Sequence, residues 1–481
     1  MKKTLLLALA IAAGVQCWAQ DYKPTWESLD KRPVPQWYKD AKFGIFIHWG
    51  VYSVPGYSKV GQYAEWYQNG LRNNDTARIR YQKEVFGDLT YYQLADRFKA
   101  ELYNPDEWAH VIEQSGAKYV VLTSKHHDGW ANWPSAATSL AWNFPWNAGV
   151  AGPHRDLLGD LFRALRKTSV HPGMYYSLYE WYNPLWLNDR SRYVREYMWP
   201  QMKDLVNTYR PDVFWTDGDW EDSDTTFRSR EFLAWLYNES PVKDRVVTYD
   251  RWGRGIRFHH GGVYTPEYQP DLDFKDHYWE ESRGMGYSYG YNRAEDSWDY
   301  NSARSLVLQL IDKVSRGGNF LLDIGPDAHG KIPPIMEERL LQIGHWMKIN
   351  NEAIYGAVRW KTASQWGPGR TDYKPPKGGG GDLLLKLTID PDPGFAVKES
   401  FFTYNPAQKA LYVLLPKWPG GSAPFVVKDL VLPAGAQVSL LETKQNLKWT
   451  QQGRDLKITM PAFDPNRMTS EYAYVIKITS I

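Results

Sequence analysis

The chain has 481 residues, a formal net charge of +2 from 57 basic and 55 acidic side chains, and 24 tryptophans, 33 tyrosines and 17 phenylalanines. This length allows one large domain and a smaller one, and the near-neutral charge argues against nucleic acid or another polyanionic partner. Tryptophan faces stack on sugars, but aromatic residues also fill cores, so composition alone favours the core.

The N-terminal segment has the composition of an export signal. Two lysines precede an apolar run from Thr4 to Val15, and small residues follow up to Ala19. Because this run is too short to cross a bilayer as a stable helix, we predict a signal peptide over residues 1–19 and a periplasmic or secreted protein. Cys17 is the only cysteine, so the mature chain would lack disulfides and thiolate metal ligands. No later stretch is apolar for long enough to span a membrane.

Apolar runs typical of buried strands alternate with amphipathic helical segments between residues 42 and 356. We predict strands at 42–50, 117–124, 173–177, 213–217, 245–249 and 318–324. We predict helices at 105–115, 156–168, 193–209, 227–238, 302–315 and 335–350. The first of these has Asn104 as N-cap, Pro105 in its first turn and Gly116 after its end. Such alternation implies a parallel sheet with helical crossovers.

Polar side chains stand at or just beyond the carboxyl ends of different predicted strands. They are His48, His126, Tyr175, Asp217 and Arg251. Groups in this position fit a ring of loops around one pocket, as in a closed barrel. An open doubly wound sheet would show a glycine-rich phosphate turn after its first strand, and the sequence has none. We therefore predict an α/β fold whose large domain, residues 20–356, is a (β/α)8-like (TIM) barrel.

The pattern changes near Gly356. Glycine- and proline-rich segments at 367–369 and 375–381 precede or separate short alternating runs such as 383–387, 410–415 and 472–478. These runs are typical of half-buried antiparallel strands. We predict a C-terminal antiparallel β-sandwich over residues 357–481.

The stretch 211–219 combines an apolar run with two carboxylates separated by a glycine. Asp217 would stand at the mouth of the barrel, where active sites lie. The alternative is that Asp217 only caps the following turn or helix. We interpret Asp219 and Glu221 as turn and helix-start residues, and Asp323, which closes a buried strand, as structural.

Three kinds of chemistry fit such a pocket. Metal-assisted hydrolysis would use His126, His127 and Asp128 with His259 and His260, but neighbouring strand residues point to opposite faces, which argues against a shared ion. A sugar-binding module would use aromatic rings for stacking and polar groups for hydroxyls. Glycoside hydrolysis would need two carboxyl groups, one ionised and one able to donate a proton.

Several motifs occur in a characteristic order. They are Phe46-Ile47-His48-Trp49-Gly50, Lys125-His126-His127-Asp128-Gly129 with Asn132-Trp133-Pro134, Gly152-Pro153-His154-Arg155-Asp156-Leu157, Tyr175-Tyr176-Ser177, Trp215-Thr216-Asp217-Gly218 and Gly317-Gly318-Asn319-Phe320-Leu321-Leu322. Over residues 42–356 the chain thereby resembles the α-L-fucosidases of glycoside hydrolase family 29. A C-terminal sandwich is also usual for that family.

This resemblance implies a retaining exo-glycosidase that releases terminal α-L-fucose from a fucosylated oligosaccharide or glycoconjugate without a metal or other cofactor. It implies that Asp217 is the nucleophile, that Trp215 lines the pocket and that Arg251 lies near the carboxylates. The implied hydroxyl-binding positions are His48, Glu65, Trp66, His126, His127 and Tyr175. The alternative is an inactive fucose- or glycan-binding protein on the same fold. Linkage preference and oligomeric state stay open.

The acid/base lies in a variable loop of this family. The segment that resembles it is 263–268, which makes Glu267 the candidate, with Glu280 as runner-up and Glu281 third. A proton donor beside an ionised Asp217 should have a raised pKa. Retention further predicts carboxyl groups about 5 to 5.5 Å apart.

Overall fold

The computed structural model describes residues 21–269, 272–374, 383–420 and 423–480. The predicted signal peptide at 1–19 lies outside the described residues. Within these ranges, no helix has both the length and the apolar character needed to cross a bilayer.

A parallel sheet of seven strands forms the centre of the large domain. The strands are β1 (Phe43–Ile47), β2 (Tyr119–Lys125), β3 (His171–Ser177), β4 (Val213–Asp217), β5 (Val247–Thr248), β6 (Glu280–Gly284) and β7 (Asn319–Ile324). Their spatial order is β5-β4-β3-β2-β1-β7-β6. Apart from the first residue of β3, every residue in these strands is buried, as expected for a parallel sheet covered by helices.

The segment between β5 and β6 closes the ring. Isolated parallel bridges join Tyr249 to Val263 and Tyr264 to Trp279, so residues 263–264 lie between the two edge strands of the sheet. A further bridge joins Glu267 to Ser282 in β6. The predicted (β/α)8-like barrel is confirmed, and its closing segment carries Glu267 to the rim.

Helices pack around this sheet. They are α1 (Trp26–Leu29), α2 (Gln36–Ala41), α3 (Tyr67–Arg72), α4 (Thr76–Phe86), α5 (Pro105–Gln114), α6 (Ala137–Trp142), α7 (Leu157–Leu165), α8 (Pro184–Asn188), α9 (Arg190–Tyr193), α10 (Trp199–Tyr209), α11 (Asp224–Phe227), α12 (Ser229–Asn238), α13 (Ala303–Ser315), α14 (Pro334–Asn350) and α15 (Leu383–Thr388). The predicted helix 193–209 contains a π-helical turn at Val194–Met198. The predicted helix 227–238 starts instead at Ser229, because Arg228 is left-handed with φ 52°.

The C-terminal part consists of two antiparallel sheets. Its strands are β8 (Val358–Trp366), β9 (Lys398–Asn405), β10 (Ala410–Leu415), β11 (Phe425–Val427), β12 (Gln437–Leu440), β13 (Lys448–Gln452), β14 (Asp455–Thr459) and β15 (Tyr474–Thr479). The sheet orders are β12-β15-β10-β9-β8 and β11-β14-β13. The predicted β-sandwich is confirmed, but the strand predicted at 383–387 is wrong. That leucine-rich run is α15, since leucine is a strong helix former and a short apolar run has no clear period.

The five-stranded sheet contributes to two cores. Tyr412 and Leu414 in β10 pack into the large cluster around the barrel, whereas Leu411 and Val413 pack into the cluster between the two C-terminal sheets. This division follows the alternation of side chains along a strand. The barrel and the C-terminal sheets therefore share an apolar interface.

Candidate active site

An open pocket of about 410 Å³ lies where the parallel strands end at their carboxyl side. Its walls are formed by Phe46, His48, Tyr63, Glu65, Trp66, His126, His127, Tyr175, Trp215, Asp217, Trp220, Arg251, Glu267, Ser282 and Tyr289. The structure thus brings together Asp217, Glu267 and all eight predicted substrate-binding residues. Glu280 is not part of the wall.

Asp217 is the last residue of β4, and its carboxylate is almost fully enclosed. Arg251 Nη1 donates a hydrogen bond to Oδ1 at 2.7 Å, and the Tyr175 hydroxyl donates to Oδ2 at 2.9 Å. His127 Nε2 lies 3.5 Å from Oδ2. Burial would raise the pKa of Asp217, but Arg251, His127 and Arg257 outweigh it and hold that pKa well below its usual range. The side chain is therefore an anion at any moderately acidic or neutral pH.

Arg251 joins the two carboxylates of the pocket. Its Nη2 donates a hydrogen bond to Glu267 Oε2 at 3.1 Å, while its Nη1 donates to Asp217 Oδ1. Its Nε donates to Thr265 Oγ1 at 2.9 Å, and its guanidinium lies 4.3 Å from the centre of the Trp215 ring. Burial would lower the pKa of Arg251, but both carboxylates raise it. One fixed, planar cation therefore sets the distance between Asp217 and Glu267.

Glu267 is the more accessible of the two carboxylates. Its side chain is 27% exposed, against 12% for Asp217. The Tyr63 hydroxyl donates to Glu267 Oε1 at 3.2 Å. The group is thus within reach of both solvent and a ligand in the pocket, as proton exchange requires.

The other two candidates for the acid lie in β6, away from the pocket. Glu280 is fully buried, and its Oε2 accepts hydrogen bonds from Tyr38 at 2.7 Å, from Tyr249 at 3.3 Å and from Tyr119. Burial raises the pKa of Glu280 to about 7. Glu281 is also fully buried and lies 3.2 Å from Lys313 Nζ. Both carboxylates have partners inside the protein.

Two neutral histidines face the pocket. Burial lowers the pKa of His48 to about 3 and puts that of His126 well below its usual range. His48 Nδ1 lies 2.6 Å from Asp323 Oδ1, and burial raises the pKa of Asp323 well above normal. Asp323 therefore orients the His48 ring, in addition to the structural role expected from the sequence. Neutral imidazoles offer one donor and one acceptor, which suits sugar hydroxyls.

His126 and His127 both line the pocket, so the expectation that they point to opposite faces is wrong. Strand β2 ends at Lys125, and its register with β3 shifts between Thr123 and Lys125. Beyond it the chain turns, with Gly129 N donating to the His126 carbonyl. The two ring centres lie 4.3 Å apart. Strand alternation no longer applies once the strand has ended.

The hydrogen bonds around His127 require a proton on its Nδ1. Its Nδ1 lies 2.6 Å from Ser177 Oγ, and the Ser177 hydroxyl donates to the Tyr179 carbonyl at 2.5 Å. Because that hydroxyl has one proton, it accepts from Nδ1 of His127. His127 Nε2 then faces Tyr175 and Asp217.

The metal hypothesis has little support in the geometry. In the part of the chain that the structure describes, no group of three or more His, Cys, Asp or Glu is arranged to hold an ion. Asp128 accepts a hydrogen bond from Tyr91 at 2.6 Å, and His260 pairs with Asp30 at 2.7 Å. Neither His259 nor His260 belongs to the pocket wall.

The last two predicted substrate-binding residues, Glu65 and Trp66, lie in a 3-10 turn at Ala64–Trp66. Glu65 Oε2 accepts from Gly290 N at 2.8 Å and from Ser288 Oγ at 3.2 Å. Burial raises the pKa of Glu65 to about 7. Trp66 packs against Trp181 at 5.0 Å between ring centres.

Five wall residues were not singled out from the sequence. They are Phe46, Tyr63, Trp220, Ser282 and Tyr289. Phe46 could have been found, since it lies two residues before His48 and therefore shares its face of β1. Ser282 could not, because β6 was not predicted as a strand, and Tyr289 lies in the loop that follows β6.

Comparison with known proteins gives consistent results. A family model described as alpha-L-fucosidase matches residues 9–352, and one described as the alpha-L-fucosidase C-terminal domain matches residues 395–479. Tissue alpha-L-fucosidase of Bos taurus is 38% identical over 475 residues, 96% of this chain and 92% of the relative. An alpha-L-fucosidase of Dictyostelium discoideum is 46% identical over 356 residues, 71% of this chain and 76% of the relative. The crystal structure of Thermotoga maritima alpha-fucosidase in complex with fucose has a TM-score of 0.77 and 34% identity, and the match covers 95% of this chain and 100% of that one.

Proposed function

Because this chain belongs to the α-L-fucosidase family, we propose that it hydrolyses terminal α-L-fucosyl residues of oligosaccharides or glycoconjugates with retention of configuration. The resemblance seen in the sequence is confirmed by the family models and relatives. The observation that carries the proposed mechanism is the Arg251 guanidinium, which holds two carboxylates of different exposure at one pocket. Retaining glycosidases use such a pair, one as nucleophile and one as acid/base.

Asp217 is the proposed nucleophile. Its ionised carboxylate attacks the anomeric carbon, the bond from that carbon to the glycosidic oxygen breaks, and a fucosyl ester of Asp217 forms. The low pKa of Asp217 supports this role because the anion needs no prior deprotonation. The same low pKa makes the carboxylate a good leaving group in the second step.

Glu267 is the proposed acid/base. It gives its proton to the departing oxygen in the first step and takes one from the attacking water in the second. Its exposure at the pocket mouth supports this role, because the side chain can exchange protons with solvent. Glu280 is less suited, since three tyrosine hydroxyls already surround its carboxylate inside the barrel.

The remaining wall residues suit a neutral deoxy sugar. His48 and His126 are neutral, and Glu65 and Tyr175 add further hydrogen-bonding groups. Phe46 contacts His48 with ring centres 4.6 Å apart and supplies an apolar surface. Fucose has a methyl group where other hexoses carry a hydroxymethyl group, and an aromatic wall accommodates it.

Replacement of the nucleophile tests this mechanism. Asp217→Gly should abolish release of fucose from an aryl α-L-fucoside, and azide should restore turnover as fucosyl azide. Asp219→Gly is the matched control, since Asp219 follows on the same loop but pairs with Arg257 at 2.8 Å. Wild-type protein that binds fucose without turnover would instead support a binding protein. Loss of activity on exhaustive chelation would support a metal.

A leaving-group series tests Glu267 against Glu280. Glu267→Ala should reduce kcat/KM far more for a fucoside with a poor leaving group than for one with a good leaving group. Glu280→Ala should lower both to a similar extent, because it disturbs the barrel interior. The opposite pattern would transfer the acid/base role to Glu280.

Export is proposed on the N-terminal sequence alone. Cleavage of the signal peptide after Ala19 would leave a mature chain that starts at Gln20. N-terminal sequencing of protein recovered from outside the cytoplasm checks this site. A mature protein that retains Lys2 and Lys3 would contradict it.

A further inference from the structure

A cluster of tyrosines lies beside Glu267, mostly outside the pocket described above. Tyr63, Tyr268 and Tyr287 are each partly exposed. The ring centres of Tyr63 and Tyr287 are 5.5 Å apart with 22° between planes, and those of Tyr268 and Tyr287 are 5.3 Å apart with 24°. The three nearly parallel rings are called the tyrosine platform below.

Hydrogen bonds hold the platform in place despite a strained backbone at Tyr268. The Tyr268 hydroxyl donates to the Tyr287 carbonyl at 2.7 Å and accepts from Gly284 N at 2.9 Å. Tyr268 has φ 51°, a left-handed conformation that is costly for an aromatic residue. Backbone strain of this kind persists where the surrounding structure over-determines it, and it concentrates at functional sites.

Tyr63 is the platform residue that contacts Glu267, the proposed acid/base. Its hydroxyl donates to Glu267 Oε1, while Arg251 occupies Oε2. A general acid must lie within hydrogen-bond distance of the oxygen that it protonates. The leaving group is attached to that oxygen, so it must lie next to Glu267 and hence next to Tyr63.

We propose that the tyrosine platform is the binding site for the leaving sugar, and that it selects a neutral pyranose carried on the fucosyl group. This rests on the proposed function. Aromatic rings pack against the apolar C–H faces of a pyranose and exclude water there. Arg251 is engaged by Asp217 and Glu267, and Arg283, which lies 5.0 Å from the centre of the Tyr268 ring, already has Glu281 as a partner at 3.2 Å. Among the described residues, the platform thus presents partly exposed aromatic rings beside Glu267, and the pairing of the nearby Arg283 disfavours an acidic sugar.

The test compares two substrates that differ only in the leaving group. Fucosyl fluoride has no sugar to place on the platform, whereas a fucosyl disaccharide with a neutral hexopyranose does. Tyr287→Ala should lower kcat/KM about tenfold on the disaccharide, and clearly less on the fluoride, as expected for one lost stacking contact. Tyr287→Phe should retain the disaccharide activity, because the ring and not the hydroxyl makes the contact. Tyr81→Ala is the matched control, since it also removes a stacked tyrosine, from a pair with Tyr57 whose centres are 4.0 Å apart.

The outcomes separate this inference from the proposed function. Equal losses on both substrates, or no loss on the disaccharide, would contradict the proposed role of the tyrosine platform but not the proposed fucosidase activity. A wild-type protein that hydrolyses neither substrate would overturn both.

A second test needs no variant: it measures how the wild-type enzyme divides the fucosyl group between water and an added acceptor. A sugar on the platform can replace water: its hydroxyl attacks the anomeric carbon of the Asp217 ester, Glu267 takes the hydroxyl proton, and the ester bond breaks. With fucosyl fluoride as donor, a methyl hexopyranoside should therefore accept fucose more efficiently than glycerol at equal hydroxyl concentration. Equal transfer to both acceptors would contradict the platform.

Discussion

Arg251 binds both carboxylates of the site and stabilises the ionised form of Asp217. Its separate Nη atoms meet Asp217 at 2.7 Å and Glu267 at 3.1 Å inside a pocket where burial alone would raise a carboxyl pKa. A lysine in its place would be a point charge on a flexible stem, without the two fixed nitrogens that contact both carboxylates here. The ionisation of Asp217, the proposed nucleophile, therefore depends on the fork geometry of arginine.

Arg251→Lys should narrow the pH range of activity from the acid side. Removal of the fork should raise the pKa of Asp217, and this proposed nucleophile is active only above that pKa. The acid limb of kcat/KM should move to higher pH, and the plateau should fall by roughly 10². A pH profile of kcat/KM on an aryl fucoside measures both effects.

Arg257→Lys is the control for this change. Arg257 Nη2 lies 3.7 Å from Asp217 Oδ1, and its shorter contact is with Asp219 at 2.8 Å. Its replacement should move the acid limb less than Arg251→Lys. An equal or larger shift would mean that Arg251 does not dominate the ionisation of Asp217.

At the scale of elements, the ends of β1 to β4 were predictable and the region after β5 was not. His48, Tyr175 and Asp217 follow or end clear apolar runs, so their place at one rim follows from parallel strands. Strand β6 was missed because its sequence, from Glu280 to Gly284, is polar. The buried charge of Glu281 is matched by Arg283 in the same strand and by Lys313 in α13, so the strand lacks the apolar run that marks a buried strand in a sequence. The position of the tyrosine platform depends on that strand and therefore could not be predicted from the sequence either.

The turn that holds His126 and His127 is supported by a buried ion pair. Lys125 Nζ lies 2.7 Å from Glu180 Oε1, and both side chains are fully buried. Glu180 Oε2 also accepts from Trp142 Nε1 at 3.0 Å and from Asn183 Nδ2 at 2.7 Å. The Trp181 amide, next along the chain, donates to the His127 carbonyl. The pair thus ties the end of β2 to the loop after β3.

Lys125→Met should destabilise the protein by about 3 to 5 kcal/mol, because it leaves Glu180 buried without a countercharge. The double variant Lys125→Met with Glu180→Gln should recover part of this loss, since the amide keeps partners and removes the charge. Urea unfolding measures the free energies. A double variant less stable than Lys125→Met would contradict this account of the pair.

At the scale of the whole molecule, the barrel and the C-terminal sheets are joined by apolar and polar contacts. Lys398 Nζ lies 3.0 Å from Asp312 Oδ1, and Thr403 Oγ1 donates to the Ala353 carbonyl at 2.8 Å. Trp346 Nε1 donates to the Ala473 carbonyl at 2.9 Å. The composition change near Gly356 predicted a second domain, but the sequence did not show that one face of its sheet belongs to the barrel core.

This shared core predicts one cooperative unfolding transition for residues 20–481. Loss of the C-terminal sheets would expose the apolar face around α13 and α14, so residues 20–356 alone should be less soluble and melt at a lower temperature. Scanning calorimetry of the full chain and of this fragment makes the comparison. Two separate transitions, or a fragment as stable as the full chain, would show that the domains are independent.

The proposed covalent bond between Asp217 and fucose can be tested most directly with a slow substrate. With 2-fluoro-fucosyl fluoride, the 2-fluorine slows both steps, while the fluoride leaving group lets the first proceed, so the intermediate accumulates. Peptide mapping by mass spectrometry should find one fucosyl adduct per chain, on the peptide that contains Asp217. An adduct on another carboxylate, or turnover without an adduct and with inversion at the anomeric carbon, would contradict the mechanism.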